Sequence, residues 1–316
     1  MSPLRLPTLP SRLKTTARRI FGADPRSLAL FRIGLASILL IDLGKRALAL
    51  TAHYTDAGVL PRVAIDRHVV TPIFFSPFHM LGGSTGFQAA LFAIAAAVAI
   101  CLLVGYRSKS AAFLSLLLNV SLQQRNMLIL HQADALLSAL LLWSLFVPIG
   151  ARYAIDARRH EPHESDEPIA SIGTAGLFLQ VTLVYFTTFL FKIENDLWRN
   201  GDALWITLNV DTYATAIGQR LLAYPDLLRG ITRSALAIEG IGPVLLLSPV
   251  ANARMRCLGI LLLLYLHIGI WMCLSIALFQ PLSVVAMIPF LPALFWSGLG
   301  RLGSHWSLRS RRSRPA

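Results

Sequence analysis

Apolar residues run through this sequence in stretches of about 15–25, separated by short basic turns and a few longer polar segments. The first stretch lies at about 27–48 (SLALFRIGLASILLIDLGKRAL). Others follow near 86–104, 110–124, 132–148, 172–192, 231–249, 257–279 and 281–298. A helix needs roughly 17–25 mostly apolar residues to cross the hydrocarbon core of a bilayer. The pattern therefore predicts an all-α fold, a polytopic transmembrane bundle of about eight spans.

The intervening segments differ in character. Residues 51–85 hold polar and aromatic residues broken by Gly58, Pro61 and Pro77, with Phe74, Phe75 and Phe78 suited to a membrane interface. Residues 150–170 form the most hydrophilic stretch, and 193–230 read as an amphipathic, re-entrant or surface excursion interrupted by Gly201, Gly218 and Pro225. No strong internal repeat of the kind that builds inverted-repeat transporters stands out.

Basic residues choose an orientation. With the N-terminus inside, the inside segments are 1–26, the Arg107/Lys109 turn, the Arg152/Arg158/Arg159 loop, the Arg254/Arg256 turn and the tail carrying Arg301, Arg309, Arg311, Arg312 and Arg314. All five are basic, as the positive-inside rule requires. Three segments result: a basic cytoplasmic N-terminal segment (1–26), a transmembrane domain (27–298) and a basic cytoplasmic tail (299–316). No removable signal peptide is expected, because no short apolar run with a small-residue cleavage site opens the chain.

Composition supports the membrane reading. Of 316 residues 55% are hydrophobic and 14% charged, against roughly 25% charged in soluble domains. The formal net charge of +13 would suggest nucleic acid in a soluble protein. Here the charge sits where orientation signals sit, and no nucleic-acid motif accompanies it. Cys101, Cys257 and Cys273 all fall within apolar stretches without metal spacing, as buried small residues do.

Ionisable residues at membrane depth cost about 2.5–3.5 kcal/mol each on insertion scales, so each wants a partner or a cavity. Arg32 and Asp42 share the first span but are about 15 Å apart along it, too far to pair. His131 and Asp134 lie on one helical face near Arg125, as a proton-shuttling pair or a hydrogen-bonded helix start. Lys192 ends the fifth span with Tyr185 on its face. It is either a snorkelling lysine or a desolvated one able to act as a base. Glu239 lies in the sixth span, and His267 is too deep in the seventh to snorkel.

Several of these motifs together resemble a known family. Asp24-Pro25-Arg26-Ser27-Leu28 through Phe31-Arg32-Ile33, followed by His53-Tyr54-Thr55-Asp56 and Gly58-Val59-Leu60-Pro61-Arg62, resembles the opening of HTTM proteins. That is the horizontally transferred transmembrane domain shared with vitamin K-dependent gamma-glutamyl carboxylases. Arg125-Asn126 through Asp134, with Trp143 and Pro148-Ile149-Gly150, is similar to the family's middle motif. Tyr185-Phe186, Lys192, Asp196, Trp198, Gly201 and Asp202 look like the segment with the carboxylase's proposed catalytic lysine, and Lys192 falls on that lysine. His267, Leu274-Ser275-Ile276 and Phe279 are similar to a late helix. The resemblance spans residues 20–298.

The resemblance implies a quinol- and oxygen-dependent modification, carboxylation or a related oxidation, of an exported substrate. A vitamin K-like reduced quinone would be the cofactor, with O2 and CO2 as co-substrates and the bilayer as its route of arrival. Lys192, His267 and His131 become candidate catalytic residues, with Tyr54, Tyr185 and Trp198 contacting the quinone; no metal is implied. The expected location is the inner membrane of a bacterium. The chain departs from the carboxylases in two places: a short basic tail stands where they carry a large soluble domain, and Phe191 precedes Lys192. The competing expectation is a non-enzymatic membrane partner for maturation, export or immunity of a secreted peptide.

Overall fold

A computed structural model describes residues 11–68, 76–158, 167–299 and 301. Phe74, Phe75, Arg159, Arg5 and the tail arginines beyond Arg301 lie outside the described residues. Among those described, regular structure is entirely helical. The extended pairings are two isolated bridges, Ala23 with Ile169 and Ala214 with Leu274.

Among the described residues, the longer helices organise the fold: α1 (Ser11–Phe21), α2 (Pro25–Ala47), α3 (Thr85–Val104), α4 (Ser108–Arg125), α5 (Gln132–Ser144), α6 (Ile172–Ile193), α7 (Pro225–Leu246), α8 (Asn252–Cys273) and α9 (Phe279–Met287). Their ends follow local chemistry. Asp24 caps α2 ahead of Pro25, Ser84 caps α3, and Ser171 caps α6 with a hydrogen bond from Thr174 N, each oxygen satisfying an N–H that has no partner within its helix.

Helices α2 through α9 correspond in order to the eight apolar stretches. Four of them, α2, α3, α6 and α8, are long and apolar enough to cross a bilayer. A fifth crossing results if α9, continued to Phe290, and the following Ala293–Leu299 helix form one span bent by 98°. The remaining three depart from the expected span for visible reasons. Helix α4 turns Ser115, Asn119, Ser121 and Arg125 inward, which lowers its apolarity. Helix α5 ends at Ser144 rather than continuing to Pro148. Helix α7 begins in the polar run Pro225-Asp226 and holds Pro243 in its interior.

Several polar residues are buried while many large apolar ones are exposed, unlike a water-soluble surface. Phe113, Leu114 and Leu117 on α4, and Leu261, Tyr265 and Ile268 on α8, are exposed while Arg32, Gln88, Asn119 and His267 are buried. Contiguous exposed apolar surface of this extent suits hydrocarbon contact. Helices α2–α5 form one group and α6–α8 another. Helix α9 joins them, packing against α2, α5 and α8. The main core runs through both groups from Phe31 and Leu35 to Phe178, Leu263 and Phe290.

Arg32 and Asp42 both face protein. Arg32 donates through Nη1 to the carbonyls of Leu102 and Leu103 at 2.8 Å and through Nη2 to that of Tyr153 at 2.6 Å. The first two carbonyls lie in the last turn of α3, where the negative end of the helix dipole favours a cation. Gly105 ends that helix at φ +72°, where an added Cβ would sit 2.4 Å from Arg32 Nη1.

Candidate functional site

A cavity of about 550 Å³ opens between α6, α7, α8 and α9. Its walls are largely apolar, with Val181, Val184, Ala235, Ile238, Leu266 and Phe279 among them. Lys192, Glu239, Tyr185, His267 and Gln280 bring polar groups into it. A concave apolar space with a few convergent polar groups is the general form of a small-molecule site.

The 193–230 excursion supplies part of the enclosure. Its short helices Asp196–Asn200 and Ala203–Leu208 contribute Trp198, Leu204 and Thr207 to the lining. The excursion is fastened to the end of α8. Thr215 N donates to Cys273 O at 3.0 Å and Ser275 N to Tyr213 O at 2.8 Å. Gly218 permits that approach, since a Cβ there would meet the Cys273 carbonyl oxygen at 2.4 Å.

Lys192 neither projects freely to the surface nor lies uncompensated. Its Nζ donates to Glu239 Oε1 at 2.7 Å and sits 3.9 Å from the centroid of the Trp198 ring. Ion pair and ring together hold a cation that has lost most of its water. Glu239 Oε2 is buried and has no hydrogen-bond partner among the described residues.

A second chain of bonds crosses from α6 to α9. Tyr185 OH lies 2.8 Å from His267 Nε2, and His267 Nδ1 lies 2.5 Å from Gln280 Oε1. With Gln280 Oε1 facing Nδ1, that nitrogen carries the proton and Nε2 accepts from the tyrosine hydroxyl. Gln280 Nε2 is then a buried donor without a partner. The site therefore presents one unused carboxylate oxygen and one unused amide NH2 group, a pair of features left open among the described residues.

Lys192, Tyr185, Trp198 and His267 thus share one cavity, whereas Tyr54 and His131 do not line it. Tyr54 is buried in a separate network at the C-terminal end of α2. There Arg46 donates to Asp42 Oδ2 at 2.7 Å, to the Tyr54 hydroxyl at 2.8 Å and to Asp134. Two buried carboxylates around one guanidinium explain how Asp42 and Asp134 tolerate burial. His131 starts α5, its N–H donating to Asp134 Oδ2 at 2.9 Å and its Nδ1 lying 3.3 Å from the same oxygen. The structure thus gives that pair the helix-start geometry, and it is Gln132 and Leu136 of α5, not His131 or Asp134, that reach the cavity.

Two residues of the site lacked a role in the sequence reading. Glu239 is the one acidic residue within the 231–249 stretch, and that isolation was a usable signal for a basic partner on a neighbouring helix. Gln280 had no such signal, since a neutral amide beside Phe279 and Pro281 resembles a helix start. Among the described residues no group of His, Cys, Asp or Glu is arranged to hold a metal ion. Comparison of the chain with family models, curated proteins and solved structures gave no match.

Proposed function

We propose that the chain is a multi-pass membrane protein of the HTTM type, with eight membrane-embedded helices and both termini on the cytoplasmic side of a bacterial inner membrane. Its cavity takes a reduced quinone, and Lys192 handles a proton there during a quinol- and oxygen-dependent modification of an exported substrate. The observation that carries this reading is the pairing of Lys192 with Glu239 inside a large apolar cavity that leaves Glu239 Oε2 and Gln280 Nε2 open.

The residues suit such a ligand. Apolar walls accept a fused ring and its tail, Glu239 Oε2 can accept from a hydroxyl, and Gln280 Nε2 can donate to a ring oxygen. Bound there, a reduced quinone supplies the electrons for chemistry with oxygen. Filling the cavity removes water from the Lys192–Glu239 pair. A proton passing from Nζ to the carboxylate then leaves a neutral amine beside a neutral acid, avoiding separated charge in an apolar space. Tyr185 and His267 fix the opposite wall and hold one proton in a defined tautomer.

The test is binding before turnover. Purified protein in detergent, titrated with a reduced naphthoquinone, should show quenching of Trp198 fluorescence that disappears in the Trp198→Phe variant and weakens in Glu239→Gln. Titration without quenching or epoxide formation would remove the quinone assignment. The competing reading, a non-enzymatic membrane partner of a secreted peptide, is favoured by one feature. Lys192 is closed onto Glu239 and Trp198, a geometry that also serves purely to fix α6 against α7.

A further inference from the structure

At the end of the bundle where α1 meets the start of α8, a cleft of about 520 Å³ lies between α1, the α8 N-terminus and the segment Pro292–Leu294. Four arginines line it: Arg18 and Arg19 from α1, Arg254 and Arg256 from α8. Arg18, Arg19 and Arg254 are exposed and make no ion pair among the described residues. The acid in the wall, Asp24, is already taken by Arg26, whose Nε and Nη2 donate to it at 3.0 and 2.7 Å.

Arg256 is the decisive residue. It is 3% exposed, and its hydrogen bonds all go to carbonyls: Gly22 at 2.9 Å, Ile20 at 2.5 Å and Leu246 at 3.4 Å. Those contacts orient the guanidinium and pin the end of α1, but they supply no negative charge. Its flat face lies 4.8 Å from the Phe178 ring, which adds dispersion and quadrupole attraction without neutralising it. A buried cation without a counter-charge is costly, and an anion in the adjoining cleft would remove that cost. Helix α8 also starts without a side-chain cap, and Ala251, Asn252 and Ala253 at its start line the cleft, so the electropositive end of a helix forms part of its wall.

We propose that this cleft binds a phosphate-bearing anion, the headgroup of an anionic phospholipid. Arginine suits a phosphodiester because its planar fork donates two parallel hydrogen bonds. Basic recesses between membrane helices on the cytoplasmic side have the form that captures such headgroups. Leu294 at the rim gives an acyl chain an apolar path away from the charge.

The experiment places the full-length protein in nanodiscs of phosphatidylcholine with and without phosphatidylglycerol. It reads thermal stability and the phosphatidylglycerol retained on release from the disc. Three proteins are compared: wild type, R18Q/R19Q/R254Q, and R12Q/K14Q, which alters the same helix outside the cleft. Phosphatidylglycerol should stabilise the wild type and the R12Q/K14Q control, while the triple variant retains about tenfold less, as expected for lost cations near anionic headgroups. A parallel arm adds inorganic phosphate in detergent. Phosphate failing to stabilise there assigns the site to lipid, and phosphate stabilising the wild type but not the triple variant assigns it to a soluble phosphate ester. Equal retention in all three proteins, or an equal loss in the control, overturns the proposal.

Discussion

Lys192 Nζ and Glu239 Oε1 lie 2.7 Å apart, joining the last turn of α6 to the middle of α7 across the wall of the apolar cavity. The carboxylate side chain is 7% exposed and the lysine 18%, so neither charge is well hydrated once its partner is gone. Breaking such a pair from one side costs about 3–5 kcal/mol in buried settings, whereas replacing both partners with apolar groups can be neutral. Lys192→Met alone should therefore destabilise by roughly 2–4 kcal/mol. Lys192→Met combined with Glu239→Leu should recover most of that loss. Thermal unfolding of the wild type, Lys192→Met, Glu239→Leu and the double variant in one detergent checks it, and strictly additive losses would mean the pair is not coupled.

The Arg32–Gly105 contact gives a second expectation. Gly105 holds a left-handed conformation, and a methyl group there would fall on Arg32 Nη1 and Ala154. Gly105→Ala must strain the backbone and displace a guanidinium that satisfies three carbonyls. A loss of about 2–4 kcal/mol is expected from strain and broken buried hydrogen bonds together. Gly86, with open space around its Cβ position, is the control. Gly86→Ala should leave the melting temperature unchanged or raised.

A pH-dependent contribution comes from the loop that follows α2. The Arg62 side chain, with its backbone N–H, donates to Asp56 and holds that carboxyl below the ordinary aspartate value. Because the folded value is the lower one, the stabilisation is fully present above the unfolded value of about 3.9 and is lost as pH falls through the folded value. Asp56 is 39% exposed, so screening limits the effect to well under about 1 kcal/mol. Asp56→Asn should lose the part of the acid dependence that lies below about pH 4, and added salt should shrink the difference from wild type. An identical acid profile in both proteins would exclude this contribution.

How much of this was readable in the sequence depends on the range of the interaction. The eight apolar stretches locate eight helices because burial and helix length act locally. The inward turn of Arg32 and Asp42 followed from the cost of exposing them to lipid. The convergence of Tyr185, Lys192, Trp198 and His267 was legible in part, since helical spacing puts the first two on one face. Tyr54 was grouped with them, and the reason it lies apart is long-range: Arg46, nominally a residue of the span's polar end, gathers Tyr54, Asp42 and Asp134 around itself. No periodicity reveals which of several polar groups a guanidinium will collect. Gln280 stayed hidden for the same reason, because its role is set by a histidine on another helix.

Lys192→Arg separates chemistry from anchoring. Arginine keeps the positive charge, can pair with Glu239 and can stack on Trp198, so the protein should insert and unfold at nearly the wild-type temperature. A guanidinium does not lose its proton in proteins and cannot supply a neutral amine. If Lys192 is the base, oxidation of a reduced naphthoquinone should fall to background while ligand quenching of Trp198 persists. Glu239→Gln tests the same step from the other side, since an amide cannot take the lysine's proton, and turnover should fall by at least about tenfold, the lower range for a general acid–base group. A lysine that only anchors α6 predicts normal turnover with arginine, which reaches water or a carboxylate equally well. Full activity of Lys192→Arg would sink the assignment of Lys192 as a base and leave its pairing with Glu239 as a structural clasp between α6 and α7.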